Sequence, residues 1–163
     1  MRGIRRDKKY THLTDMLTEK DPRSDAAVFP SKKALQCYAA MLGFQENHRI
    51  PLPSQPLDSI EWHTFSNGEF TDYIYMISLA STKDLTVLRY DIETSDKGDF
   101  NEDMVSVFEE FSNGGFEIIQ SWLDKSPSDR FGTKAILAGL QRDDHLSTAQ
   151  DDTATQDFPE VEF

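Results

Sequence analysis

Four histidines and a scatter of carboxylates are the side chains here with the means for acid–base or metal chemistry, and their spacing suits neither well. His12, His48, His63 and His145 stand apart. None pairs with another histidine or with Cys37 at the short intervals that metal sites use. Glu46 with His48 and Glu61 with His63 are the nearest acid–imidazole pairs, and two such pairs arise easily by chance. Glu61 and His63 are the residues a small metal-dependent hydrolase would draw on. The run DIETSDKGDFNED, residues 91–103, has the carboxylate density of a calcium loop. Such a loop needs glycine at its sixth position and oxygen ligands at its first, third and fifth. Counted from Asp91 the sixth position is Asp96, and counted from Asp96 the fifth is Phe100, so both frames fail. Asp7-Lys8-Lys9 has the acid-x-Lys spacing of nuclease metal centres but lacks an upstream acid. No nucleophile elbow, phosphate loop or dinucleotide fingerprint is present. The expectation is a chain with no catalytic residue, no bound metal and no cofactor.

Binding is easier to place than catalysis. Residues 1–9 carry five basic residues and one acid. Arg2, Arg5, Arg6, Lys8 and Lys9 are the candidate contacts to DNA phosphates, each adding salt-dependent affinity. The bland alternative is a solvated start that balances an acidic body. The net charge of −12 argues against a broad phosphate-gripping surface. Residues 143–163 hold seven acids and no lysine or arginine, more than half of that charge. Trp62 and Phe65, behind a proline-rich stretch, are candidates for a protein interface. The alternative, which their place in the sequence favours, is that they pin that stretch to the core. Cys37 lies on the flank of an apolar face and reads as a core or semi-buried thiol. One cysteine permits no internal disulfide, the basic start lacks the apolar run of a signal peptide, and no membrane-spanning run occurs. A cytoplasmic protein is expected.

The elements that must position these residues are mostly helical. With 163 residues the chain fits one domain. Tyr10, Leu13 and Leu17 predict a helix from about Asp7 to Glu19. Ala34, Leu35, Tyr38, Met41 and Leu42 predict a second from Ser31 to Leu42, with Gly43 as its left-handed stop. IPLPSQPL, residues 50–57, has three prolines and reads as an ordered extended connector. Ile60–Phe65 reads as a short extended piece. The phrase Phe-Ser-Asn-Gly-x-Phe occurs twice, at residues 65–70 and 111–116. In the first copy, Ser66 and Glu69 fit a capping box ahead of a helix through Phe70, Tyr73, Ile74 and Ile77. In the second, Asn113-Gly114-Gly115 reads as a break between a helix through Met104, Phe108 and Phe111 and another through Phe116, Ile119 and Trp122. Ser126-Pro127-Ser128-Asp129 predicts the start of a last helix reaching Arg142. The resulting expectation is a mostly α fold. It is a compact single-domain bundle of five to six helices over residues 1–142, followed by a disordered acidic tail, 143–163.

Several segments together resemble the small proteins encoded beside bacterial DNA-phosphorothioation (Dnd) genes. They are Arg5-Arg6-Asp7-Lys8, Ala39-Ala40-Met41-Leu42-Gly43-Phe44, Pro51-Leu52, Ile60-Glu61-Trp62 with Phe65, and Glu109 through Ile119 with its Asn113-Gly114-Gly115. They span roughly residues 5–125. Phe111 and Ser112 stand where the pattern favours smaller residues, and the acidic tail looks extra. The resemblance implies a place in anti-phage defence. Dnd systems exchange a non-bridging phosphate oxygen of DNA for sulfur, and linked restriction proteins attack unmodified DNA. It implies an accessory or regulatory subunit that contacts larger Dnd-type modification or restriction proteins, without catalytic residues of its own. Two other readings stay open. One is a DNA-binding module that uses the basic arm, and the other an acidic DNA mimic that occupies a partner's basic groove.

Overall fold

A computed structural model describes residues 3–54, 56–67, 70–88 and 104–142. The acidic run 91–103, the tail 143–163, Arg2 and Glu69 lie outside them. Its longest element is one helix, Met104–Asp124 (α5), roughly 30 Å long at 1.5 Å per residue. The break expected at Asn113-Gly114-Gly115 does not exist, because all three residues are buried inside that helix. The cause is a neighbour. Helix α2, Lys32–Gln45, crosses α5 at these positions. A Cβ on Gly115 would strike the carbonyl of Ala39, and one on Gly43 would strike that of Phe111. A Cβ on Gly114 would strike the carbonyl of His48. Glycine costs helix stability, and here that cost is offset by the backbone approach it permits.

Gly43 is therefore no helix stop. Ser31 caps α2 as expected, its hydroxyl accepting from the Ala34 N–H at 3.2 Å. The helix ends beyond Gly43, with Asn47 in the left-handed region at φ 50°. His48 N–H donates to the Gly43 carbonyl at 2.7 Å and Asn47 N–H to that of Phe44 at 3.1 Å. That pair of bonds closes a Schellman motif.

The start of the chain is a strand. Ile4–Asp7 (β1) pairs antiparallel with Leu57–Ile60 (β2), in the register Ile4↔Ile60 to Asp7↔Leu57. The expected helical start at Asp7 is displaced because Asp7 belongs to this ladder while its carboxylate accepts the Lys9 N–H at 3.0 Å. That bond opens a short 3-10 turn over Lys8–Tyr10, and α1 follows at Thr11–Thr18. Tyr10, Leu13 and Leu17 are buried, as their spacing requires.

The proline-rich connector has no regular structure from residue 50 to residue 54 and then supplies β2. The extended piece expected at Ile60–Phe65 is mainly a short helix, Trp62–Ser66 (α3). Ser66 is the last residue of α3, and its hydroxyl donates to the His63 carbonyl at 3.3 Å. It does not cap α4, which spans Phe70–Thr82 and begins four residues later. The last helix, Thr133–Arg142 (α6), starts later than the serine–proline signal. Gly132 sits at φ +74°, and the Asp129 carboxylate accepts the Ala135 N–H at 2.9 Å. Among the described residues there are six α-helices and one two-stranded sheet, so the mostly α bundle holds.

Two apolar clusters flank the crossing of α2 and α5. One joins Ile4, Phe65, Ile74 and Ile77 to Met104 and Phe108. The other joins Tyr10, Leu13, Leu17 and Leu35 to Phe116, Ile119, Trp122 and Ile136. Helix α5 spans both.

Candidate functional site

Three of the residues proposed to reach for DNA, Arg5, Arg6 and Lys9, are paired with acids of the body. Arg5 lies in β1 and bonds to both α5 and α2. Its backbone N–H donates to Glu109 Oε1 at 2.6 Å, and its guanidinium reaches Glu109 Oε2 at 3.0 Å. Glu109 is fully buried on α5, while the Arg5 side chain keeps 39% of its surface in water. The Arg5 carbonyl accepts from Gln36 Nε2 of α2 at 3.0 Å. Two helix side chains thus satisfy the strand edge that another chain could otherwise pair with.

Arg6 is buried almost completely and donates to Asp58 Oδ2 of β2 at 3.3 Å. The Thr11 hydroxyl donates to the same carboxylate oxygen at 2.5 Å. That hydrogen bond, above all, holds the Asp58 carboxyl below its ordinary value. Burial opposes it, and attraction to Arg6, Lys8 and Lys32 adds to it. Burial lowers Arg6 despite the pull of Asp58 and Asp15. Lys9 pairs with Asp7 at 3.6 Å and lies over the Tyr10 ring. Of the five candidate phosphate contacts, Arg6 is an internal ion pair, Arg5 and Lys9 are tethered to acids, Lys8 is exposed, and Arg2 lies outside the described residues.

Glu109, Asp58 and Gln36, which complete this polar seam, were not singled out by sequence reasoning. A signal existed for Glu109. It shares helical spacing with Val105, Ser112 and Phe116, all buried, so a lone acid there required a cation opposite.

The two phrases do different work. Asn113 donates its amide to the carbonyls of Ile50 and Pro51, both at 3.4 Å, and Ile50 N–H donates to the Glu110 carbonyl at 3.1 Å. The proline-rich connector is thereby fastened to α5. Phe65 is fully buried, edge-on to Phe108 at 5.8 Å between ring centres. It has no surface to offer a partner, and Trp62 is half-buried against the same cluster. Both side chains pack in that cluster.

Among the described residues the histidines His12, His48 and His63 are not gathered at one metal site, and His145 lies outside those residues. His48 Nε2 meets Glu117 Oε2 at 2.7 Å on an exposed face, a pair that sequence spacing did not suggest. Glu61 and His63 are both exposed; Glu61 is the residue before α3, and its carbonyl accepts from the Thr64 and Phe65 N–H groups. His12 lines a hollow of about 270 Å³ beside Gln120, Asp124 and Asp129. Among the described residues no three His, Cys, Asp or Glu side chains are placed to hold one metal ion. Cys37 is buried, and burial pushes its thiol up to about 12. Among the described residues no helix is long and apolar enough to cross a membrane.

A polar seam, a glycine crossing and a fastened connector hold the described residues together. The family model described as DNA sulphur modification system-associated protein 4 matches residues 3–158. The chain belongs to that family. Membership in the DNA sulphur modification system-associated protein 4 family bears out the resemblance read from the segments spanning roughly residues 5–125. It corrects one detail, because the family match continues through residue 158 and takes in most of the acidic tail. No curated protein and no solved structure matches the chain.

Proposed function

We propose that this chain is a non-enzymatic accessory or regulatory subunit of a cytoplasmic, DNA-phosphorothioation-linked restriction system in anti-phage defence, working through protein contacts. The family match over residues 3–158 carries the reading, since it ties the chain to a DNA sulphur modification system. The surface supports it. Arg5, Arg6, Glu109 and Asp58 serve the fold, while Met41, Met76 and Leu85 present apolar side chains to solvent at 47%, 65% and 71% exposure. Apolar surface is what a protein partner would cover. The test is a pull-down from the native host, read against the products of neighbouring genes. Recovery of a larger modification or restriction protein is expected. A clean monomer that captures none of them sinks the reading.

A second reading, the acidic mimic, rests on where the charge lies. Residues 89–103 carry six acids and two bases, and residues 143–163 carry seven acids. Together they hold eleven of the twelve net negative charges, which leaves the described body close to neutral. Charge gathered on two segments can enter a partner's basic DNA-binding groove in a way that charge spread over a body cannot. Replacing the acids of both segments with Asn and Gln should then abolish partner binding and the competition with DNA for the partner. Undiminished binding would discard the mimic and leave the accessory reading standing.

A further inference from the structure

The two strands of the sheet have unequal edges. Lys8 N–H donates to the Pro56 carbonyl at 3.2 Å, which makes Lys8 and Pro56 a hydrogen-bonded pair of the ladder. Bonded and non-bonded pairs alternate along an antiparallel ladder. Arg6 with Asp58 and Ile4 with Ile60 are therefore the bonded pairs of this register, and the backbone groups of Arg5, Leu57 and Ser59 turn outward. On β1 the Arg5 groups are sealed by Glu109 and Gln36. On β2 they are open. Among the described residues no hydrogen bond reaches the N–H or C=O of Leu57 or Ser59. Ser59 is exposed, and β2 packs chiefly on β1.

Backbone donors and acceptors left open at strand spacing are complemented by the backbone of another extended chain. A second copy of this chain fits poorly. The two-fold register that bonds Leu57 and Ser59 of both copies sets the two Asp58 side chains directly opposite each other, and like charges so placed repel. A basic residue suits that position instead. Arg6 and Thr11 both bond Asp58 Oδ2, which leaves Oδ1 without a hydrogen bond among the described residues, and the Asp58 side chain keeps 25% of its surface in water. We propose that the outer edge of β2 takes an extended segment of a partner protein. The segment runs antiparallel to β2, bonds Leu57 and Ser59, and carries a lysine or arginine opposite Asp58. This gives the accessory subunit its docking site and rests on that reading for the partner, but the edge itself can be tested without one.

The probe is a capped peptide, acetyl-Thr-Val-Lys-Val-Thr-amide, added to the full isotope-labelled chain. Its β-branched residues favour the extended form, its lysine falls opposite Asp58, and its valines bond Leu57 and Ser59. Amide exchange at Leu57 and Ser59 should slow about tenfold when the peptide is at roughly ten times its dissociation constant. The Arg5 amide, already sealed by Glu109, should not change. The same peptide N-methylated at both valines, and separately with glutamate in place of lysine, should slow neither amide. Ser59→Pro removes only an outward N–H, which an edge strand tolerates. It should keep the helical signal and abolish the slowing at Leu57. Exchange at Leu57 and Ser59 that no peptide concentration slows overturns the proposal, as does slowing that the N-methylated or glutamate peptide matches. Slowing that follows the protein's own concentration without peptide overturns it in favour of a second copy. A partner recovered from the native host beside unslowed exchange would overturn this proposal alone and leave the accessory reading standing.

Discussion

Arg5 has part of its guanidinium in water and Glu109 has none of its carboxylate there, so the pair is unequal under mutation. Removing Arg5 strands a charge inside the body, whereas removing Glu109 releases a cation that water can take. Arg5→Ala should cost about 3 kcal/mol, the lower end for breaking a buried pair. Glu109→Gln should cost less, roughly 1.5–3 kcal/mol, the scale of one charged hydrogen bond. Urea midpoints at constant slope measure both, and the opposite order would show that burial does not govern the pair. Asp58 gives a pH test. Its folded carboxyl is held low, chiefly by the Thr11 hydroxyl, so it adds stability that is complete above about pH 4 and lost as pH falls through the depressed value. Thr11→Val should bring the Asp58 carboxyl back toward its ordinary value, so that less stability is present above about pH 4 and less of it is lost as pH falls. Carboxyl-carbon titration by NMR reads the shift directly, and an unmoved titration would remove Thr11 as the cause. This seam was half legible in the sequence. The arginines of the N-terminal strand were conspicuous, but their partners lie about fifty and a hundred residues away along the chain, and local spacing carries no record of such pairings.

At the scale of the elements, the crossing of α2 on α5 depends on having no side chain at Gly43, Gly114 and Gly115. Each added Cβ would meet backbone, which cannot step aside as a flexible side chain can. Gly115→Ala should therefore destabilise by about 3 kcal/mol or more, at the upper end of overpacking, even though alanine is the better helix former. Gly43→Ala, on the facing helix, should behave alike. A urea midpoint at or above that of the unsubstituted chain would show that the helices can part at no cost. The same glycines explain the largest error of sequence reading. Asn-Gly-Gly is turn chemistry in water, and only burial under α2, with Asn113 bonded to Ile50 and Pro51, makes it the middle of a helix. Boundaries governed by local bonds were readable, such as Ser31 capping α2. Those governed by distant contacts were not: Asp7 in a ladder with Leu57, and Gly132 turning beside Leu17 and Leu123.

Across the whole molecule, one helix joins two apolar clusters, and each cluster has its own tryptophan. Trp62 packs on the cluster around Phe108, and Trp122 is buried in the cluster around Phe116. A rigid α5 that is buried along most of its length should make the two halves melt together, since neither cluster keeps its walls if the helix frays in the middle. Leu17→Ala and Ile74→Ala, each removing a fully buried side chain from a different cluster, should each cost about 2–5 kcal/mol. Both should lower the same transition. The chain has two tryptophans, so Trp62→Phe and Trp122→Phe each leave one reporter in one cluster. In both variants the fluorescence transition should coincide with the loss of far-UV helical signal. If Trp62 reports an earlier melt than Trp122 while half the helical signal persists, the crossing does not couple the clusters, and α5 is two helices in all but geometry.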